Sequence, residues 1–198
     1  MKRVLTFAFA IVCVHQIMAQ QEGINSKVIH NYTEFFVGYQ YVDDFGADQG
    51  HGVVAHSSVD MNNFLFDVNG GYVWGDGADA WNAGGGLGYV VRLMRNHINI
   101  IPRFGMTYNK LEPENIDSID TTTIEPGITL SFALNNWISV NGNYTYVRDV
   151  DFGKDLDAHT YGGGARIALT ETLGLDVGAR FADGQGFTSA FAGLSMHF

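Results

Sequence analysis

The feature that most constrains this chain is where its charges fall within an alternating pattern. From Tyr32 to Phe198 apolar residues recur at every second position, in rows such as Phe35, Val37, Tyr39, Tyr41 and Trp81, Ala83, Leu87, Tyr89, Val91, Leu93, and helical spacing is nowhere sustained. Ten such rows can be read, the second (Val53, Ala55, Val59, Met61) being the weakest. The charged residues inside them are Glu34, Asp60, Asp67, Arg92, Arg103, Glu125, Arg166, Asp176 and Arg180, and every one lies on the face opposite the apolar row. None is a lysine. A soluble barrel also alternates, but a water-facing surface carries both charge signs at roughly 25 to 35% of its residues. Here the polar face is mostly Gly, Asn, Thr and Ser, which suits a crowded polar lumen, so the apolar row is expected to face outward into lipid.

The ends of the outward rows are aromatic. Tyr41, Trp74, Trp81, Tyr108, Tyr146, Tyr161 and Phe181 lie beside one set of connections, and Phe64, Phe132, Trp137 and Phe198 beside the other. Two aromatic girdles around an aliphatic band mark two membrane interfaces. The connections alternate as well: 61–63, 94–96, 135–136 and 170–172 are tight, while 42–50, 75–80, 110–121, 148–157 and 182–186 are longer and polar. These patterns predict an all-β fold, a closed antiparallel up-and-down transmembrane β-barrel over residues 32–198, with ten strands preferred and eight as the alternative. A Gram-negative outer membrane is the expected location, with the barrel a monomer in contact with outer-membrane lipid.

Residues 1–19 read as a cleaved signal peptide. Lys2 and Arg3 precede an apolar stretch from Val4 to Val14, and the segment closes on Ala19. Residues 20–31 are then a short periplasmic N-terminal segment. The one cysteine, Cys13, falls inside the apolar stretch, so the mature chain is expected to hold no thiol and no disulfide framework. No later segment approaches the roughly 18 to 20 apolar residues of a spanning helix.

The last strand, Ala190-x-Ala192-x-Leu194-x-Met196-x-Phe198, together with the signal peptide and the alternating rows, resembles the small outer-membrane barrels of the opacity-protein and OmpX kind. The resemblance implies that Phe198 is read by the barrel assembly machinery as an assembly signal. Those families have eight strands, and the resemblance brings no functional residues with it. Pro102 and Pro126 remove ladder donors and predict a bulge or local break in the fifth and sixth strands.

The nine strand charges, five acids against four arginines, form the expected lumen network, since groups of this kind are tolerated in a narrow barrel only when paired. A lumen plugged by ion pairs is the favoured expectation. Gly84, Gly86, Gly88, Gly162 and Gly164 on the polar face leave room for a narrow pore as the other reading. Two constellations could carry chemistry. Asp157-x-His159 is similar to the Asp/His pair of omptin proteases, but the matched aspartates are missing, Asp76 and Asp79 having the wrong spacing; His56-x-Ser58 is similar to the His-x-Ser of lipid A deacylases, but falls on the polar face. Neither makes a complete site, so no catalytic residues are assigned. The Gly84-Gly85-Gly86 and Gly162-Gly163-Gly164 runs lie inside strands and open no helix, which excludes a phosphate loop.

Loop charge is the remaining signal. The longer connections hold most of the acids of a chain with a formal charge of −10 and a pI near 4.9, which excludes nucleic acid as a partner. No cofactor is expected beyond a weak Ca²⁺ site, which Asp149, Asp151, Asp155 and Asp157 around Gly153 could form if the loop folds back at the glycine. The function expected from these readings is non-enzymatic: envelope integrity, adhesion or slow passive permeation, with a rim hydrolase of omptin or deacylase type as the alternative.

Overall fold

The computed structural model describes residues 32–45, 48–75, 77–94, 97–114, 117–135, 137–150, 157–183 and 188–198. The signal peptide, the 20–31 segment, Asp151 and Asp155 lie outside the described residues. Eleven strands follow one another: β1 (Glu34–Phe45), β2 (Asp48–Met61), β3 (Phe64–Gly75), β4 (Ala78–Tyr89), β5 (Val91–Leu93), β6 (Ile98–Pro113), β7 (Ile119–Ala133), β8 (Ile138–Asp149), β9 (Asp157–Ala168), β10 (Leu173–Ala182) and β11 (Thr188–His197). Except for β4 and β5, which both pair with β6, each strand pairs antiparallel with its neighbour in sequence, and β11 pairs with β1, so the sheet closes. β4 and β5 are two halves of a single stave, which makes this a closed antiparallel barrel of ten staves.

Proline explains the interruption. Pro102 has no N–H, and the β6 ladder to β4 ends at Gly88↔Arg103 and resumes as β5 at Val91↔Ile100 in the same register. Val90, at the gap, keeps the ladder on the other side, donating to the Asn63 carbonyl at 2.8 Å in the β3–β4 register. Pro126 acts in the same way: pairing of β7 with β8 lapses between Ile124↔Arg148 and Gly127↔Thr145 and the register is kept. Both prolines therefore break the ladder without shifting it. Carried once round the barrel, the register climbs about twelve residues, the stagger that closing a sheet of tilted strands requires. The β2–β3 turn is closed by Asn62 and Asn63 at φ 56° and 74°, the left-handed pair that a two-residue hairpin needs.

The alternating rows lie on the outer surface. Phe35, Val37, Phe66, Val68, Leu87, Phe104, Met106, Val177 and Leu194 are all exposed, in a continuous apolar belt. Such a surface is compatible with a bilayer and not with water. Tyr and Trp flank it on one side and Phe64, Phe132, Trp137 and Phe198 on the other, so the barrel is an outer-membrane protein by its own surface.

The longer connections are shorter than the sequence suggests. Expected loops at 42–50, 75–80 and 110–121 are largely strand, since β1 runs to Phe45, β2 starts at Asp48, β4 starts at Ala78 and β6 runs to Pro113. Above the girdle the wall meets water outside, and the pattern inverts: Lys110 and Glu112 face out while Leu111 is fully buried inside. A search for outward apolar rows reads that inversion as the end of the strand.

Candidate functional site: the barrel lumen

All nine charges placed on the polar face by alternation face the barrel interior. Near the periplasmic end Arg166, on β9, uses two edges of its guanidinium: Nε donates to Asp176 Oδ1 of β10 at 2.5 Å and Nη1 to Glu34 Oε2 of β1 at 2.7 Å. Arg103 of β6 donates to Asp67 of β3 at 2.7 Å, and Arg92 of β5 is paired with Asp60 of β2. Arg166, Glu34, Asp176 and Asp67 are each at most 5% exposed, so the carboxylates have exchanged water for guanidinium hydrogen bonds. Higher in the lumen, buried Glu125 accepts from the Thr123 hydroxyl at 2.8 Å, and buried Arg180 donates to the Thr160 hydroxyl.

Several groups around this layer were not legible as members of it. His197 Nδ1 lies 3.5 Å and His56 Nδ1 3.8 Å from Glu34. Ser195 Oγ is 3.4 Å from His197 Nε2, which completes a Ser-His-Glu sequence in space. Ser195 is fully buried and Glu34 is already held by Arg166, so this triad has no room for a substrate carbonyl. Tyr32 tucks into the periplasmic mouth against Leu65, Val90 and Ile101, with its hydroxyl bonded to Asn99, its carbonyl accepting from Ser58 at 2.8 Å and Arg92 over its ring.

The middle of the lumen is aromatic. Phe36 and Phe191 face inward on β1 and β11 and meet edge to face, with ring centroids 6.3 Å apart. Glycine makes their seats: a Cβ at Gly38 or Gly193 would strike the Phe36 ring, and one at Gly178 the Phe191 ring. Of the glycines expected to leave space, Gly162 lines a small cavity with Asn141, Asn143, Arg180 and Phe191, whereas Gly86 and Gly88 have side chains at hand. A Cβ at Gly86 would lie 3.0 Å from Asp67 Oδ2, and one at Gly88 3.3 Å from Ile101 Cγ2. An aromatic residue on the polar face opposite glycine is the sequence signal that could have revealed this layer.

At the extracellular end the interior turns apolar. Val42, Val73, Ala78, Ala80, Leu111, Val147, Ala158 and Ala182 form one buried cluster with Ile119 packed on it, drawn from eight of the ten staves. Beneath it lie Gln40, Asn109, Thr121 and Ser189, all fully buried.

The constellations that suggested chemistry are not assembled. His159 faces outward, its Nδ1 bonded to the Tyr144 hydroxyl at 2.7 Å, while Asp157 takes the hydroxyl of Tyr146, so the two do not form a dyad. His56 and Ser58 both face the lumen, and the Ser58 hydroxyl is spent on Tyr32. For the Ca²⁺ reading, Asp149 turns into the barrel, 9% exposed, whereas Asp157 faces out on the neighbouring strand. The structure thus sets these two carboxylates on opposite sides of the wall instead of bringing them together. Phe198 is 69% exposed at the end of the outward row, with its N–H on the Thr33 carbonyl at 3.1 Å.

No family model matches the sequence, nor does any curated protein. Solved structures do resemble the fold. The NanC porin superposes with a TM-score of 0.54 at 10% identity, covering 83% of this chain and 100% of that one. The β-domain of the Bordetella autotransporter BrkA superposes with a TM-score of 0.52 at 11% identity, covering 84% of this chain and 99% of the other. At such identities the likeness is one of fold, and it is the fold of outer-membrane β-barrels.

Proposed function

We propose that this barrel is a non-enzymatic envelope protein with an occluded lumen, acting in envelope integrity or surface adhesion rather than as an open pore. The observation that carries this reading is the succession of buried layers along the axis: Tyr32 and its apolar neighbours, the ion-paired acids and arginines, the Phe36 and Phe191 rings, and the apolar ring ending at Leu111. A hydrated ion would have to cross three apolar layers and part three sets of ion pairs, each step losing hydration or hydrogen bonds. Outer-membrane lipid around the belt, a monomeric state and recognition of Phe198 by the barrel assembly machinery belong to the same proposal.

The test is conductance of the refolded mature barrel in planar bilayers. The expected result is no discrete conductance steps in salt solution. Steady, stepwise pores in the unaltered protein would overturn the occluded reading and favour passive permeation.

A further inference from the structure

Just above the membrane belt, the outer wall differs around the circumference. On the β1 to β6 side, ladder pairing sets Tyr41, His51, Trp74, Asp79 and Glu112 side by side in one outward row. In the row beneath, Tyr72 lies beside Trp81. Tyr72 and Trp74 are near-parallel with centroids 6.0 Å apart, and Trp81 leans on Tyr108 at 5.3 Å. Polar groups are fixed among these rings. The Tyr72 hydroxyl donates to Asp79 Oδ2 at 2.7 Å, and His51 lies against Tyr39 and Tyr41 with its Nδ1 bonded to the Tyr39 hydroxyl. On the β8 to β10 side the corresponding band holds Tyr144, Tyr146, His159, Tyr161 and Phe181, with no tryptophan.

We propose that the β1 to β6 wall binds the saccharide headgroup of outer-leaflet glycolipids. A sugar ring offers a C–H face that packs on flat aromatic surfaces such as Trp74 and Trp81, and a rim of hydroxyls. Those hydroxyls donate to acceptor-only carboxylates such as Asp79 and Asp43 and exchange hydrogen bonds with the His51 Nε2 left open by the Tyr39 contact. A phosphate is the poorer match. Asp43, Asp79 and Glu112 face outward here against Lys110 alone, and Lys110 is already paired with Glu112 at 2.5 Å. The occupant is membrane-borne because the same outward rows continue downward, through the small residues Gly70, Ala83 and Gly85, into Val53, Val68, Leu87 and Met106, all exposed in the lipid belt. A lipid packed on that belt carries its headgroup at the level of Trp74 and Asp79.

The test uses the full mature barrel, refolded into lipid nanodiscs doped with a glycolipid bearing an oligosaccharide headgroup and no phosphate. Lipid retained on the protein is counted by native mass spectrometry. The double variant His51→Phe, Asp79→Asn keeps the approximate size of both side chains, removes the imidazole nitrogens and replaces the charged, acceptor-only carboxylate with a neutral amide that has one acceptor oxygen, and it is expected to retain the glycolipid roughly tenfold more weakly. Tyr144→Phe with His159→Phe on the other wall is expected to retain it as the unaltered protein does, and a phosphorylated glycolipid to bind no tighter. Folding of each variant is checked by its faster migration on a gel unheated than boiled, and if the first double variant lacks that shift, Asp79→Asn alone carries the comparison. Undiminished retention in the variant, a requirement for phosphate, or equal competition by the free oligosaccharide would each overturn the proposal.

Discussion

The lumen holds ion pairs near its periplasmic end and Val, Leu, Ile and Ala near its extracellular end, and both regions bury their side chains almost completely. The lower layer lies at membrane depth, where outward residues must be apolar and polar groups can go only inward. Once inside they must find each other, which is why Arg166 holds two carboxylates at once. The upper ring lies above the belt, where water wets the outer wall and the ordinary soluble pattern returns, apolar inside and charged outside. One chain therefore follows two opposite patterning rules along the same strands, with the change of rule at the Tyr and Trp girdle.

The largest effect should come from breaking the lower layer. Arg166→Ala leaves Glu34 and Asp176 buried without their cation, and the expected loss is about 3 to 5 kcal/mol in the urea unfolding of the refolded barrel. A loss under about 1 kcal/mol would mean that water reaches this layer, and would remove the contrast with the ring above. Next comes the ring itself. Leu111 is fully buried, and Leu111→Ala should cost about 2 to 4 kcal/mol through lost transfer energy and the cavity left behind. If that variant unfolds at the same urea concentration as the unaltered protein, the upper ring is not a packed core.

Between the two layers the aromatic seats give a smaller, opposite kind of perturbation. Gly193→Ala adds one methyl against both the Phe36 ring and the Val37 carbonyl, so the ring and the β1–β11 seam both have to move. Overpacking of this size costs about 1 to 3 kcal/mol. Pairing the change with Phe36→Leu should restore part of the loss, and a double variant no more stable than Gly193→Ala would show that the Val37 carbonyl, not the ring, sets the cost.

Much of this was legible in the sequence, and the reasons for the rest are local. Ten staves, the outward rows and the inward position of all nine charges follow from a period of two plus the rule that charge cannot face lipid. Val42, Ala80, Leu111 and Ala182 read as loop in the sequence because their neighbours Asp43, Asp79, Glu112 and Asp183 look like loop residues when only outward apolar rows are sought. Which arginine meets which carboxylate was not legible at all. Arg166 reaches Glu34, 132 positions away, through the stagger of the closed barrel, which no local pattern records. Phe36 and Phe191 give no signal in alternation alone, because an aromatic on the polar face makes sense only beside the glycines that seat it.

The smallest expected effect lies on the outside of the upper region, and it separates the charge that builds the barrel from the charge that decorates it. Lys110 and Glu112 form a close ion pair above the girdle, with side chains 27% and 48% exposed. The carboxylate of Glu112, by hydrogen bond and by charge, with Asp120 nearby, holds the Lys110 ammonium above the ordinary lysine range. A raised lysine contributes its stability fully below the unfolded-state value, near pH 10.4, and loses it only as pH climbs past the folded-state value. The contribution is therefore constant from about pH 6 to 9, and at a wet site it is screened by salt. Glu112→Gln should leave the urea midpoint unchanged within error across that range, and raising the salt should not move the unaltered protein either. A clear drop in midpoint for Glu112→Gln, matching even a part of the Arg166→Ala loss, would mean that the upper wall depends on its charges as the lower lumen does.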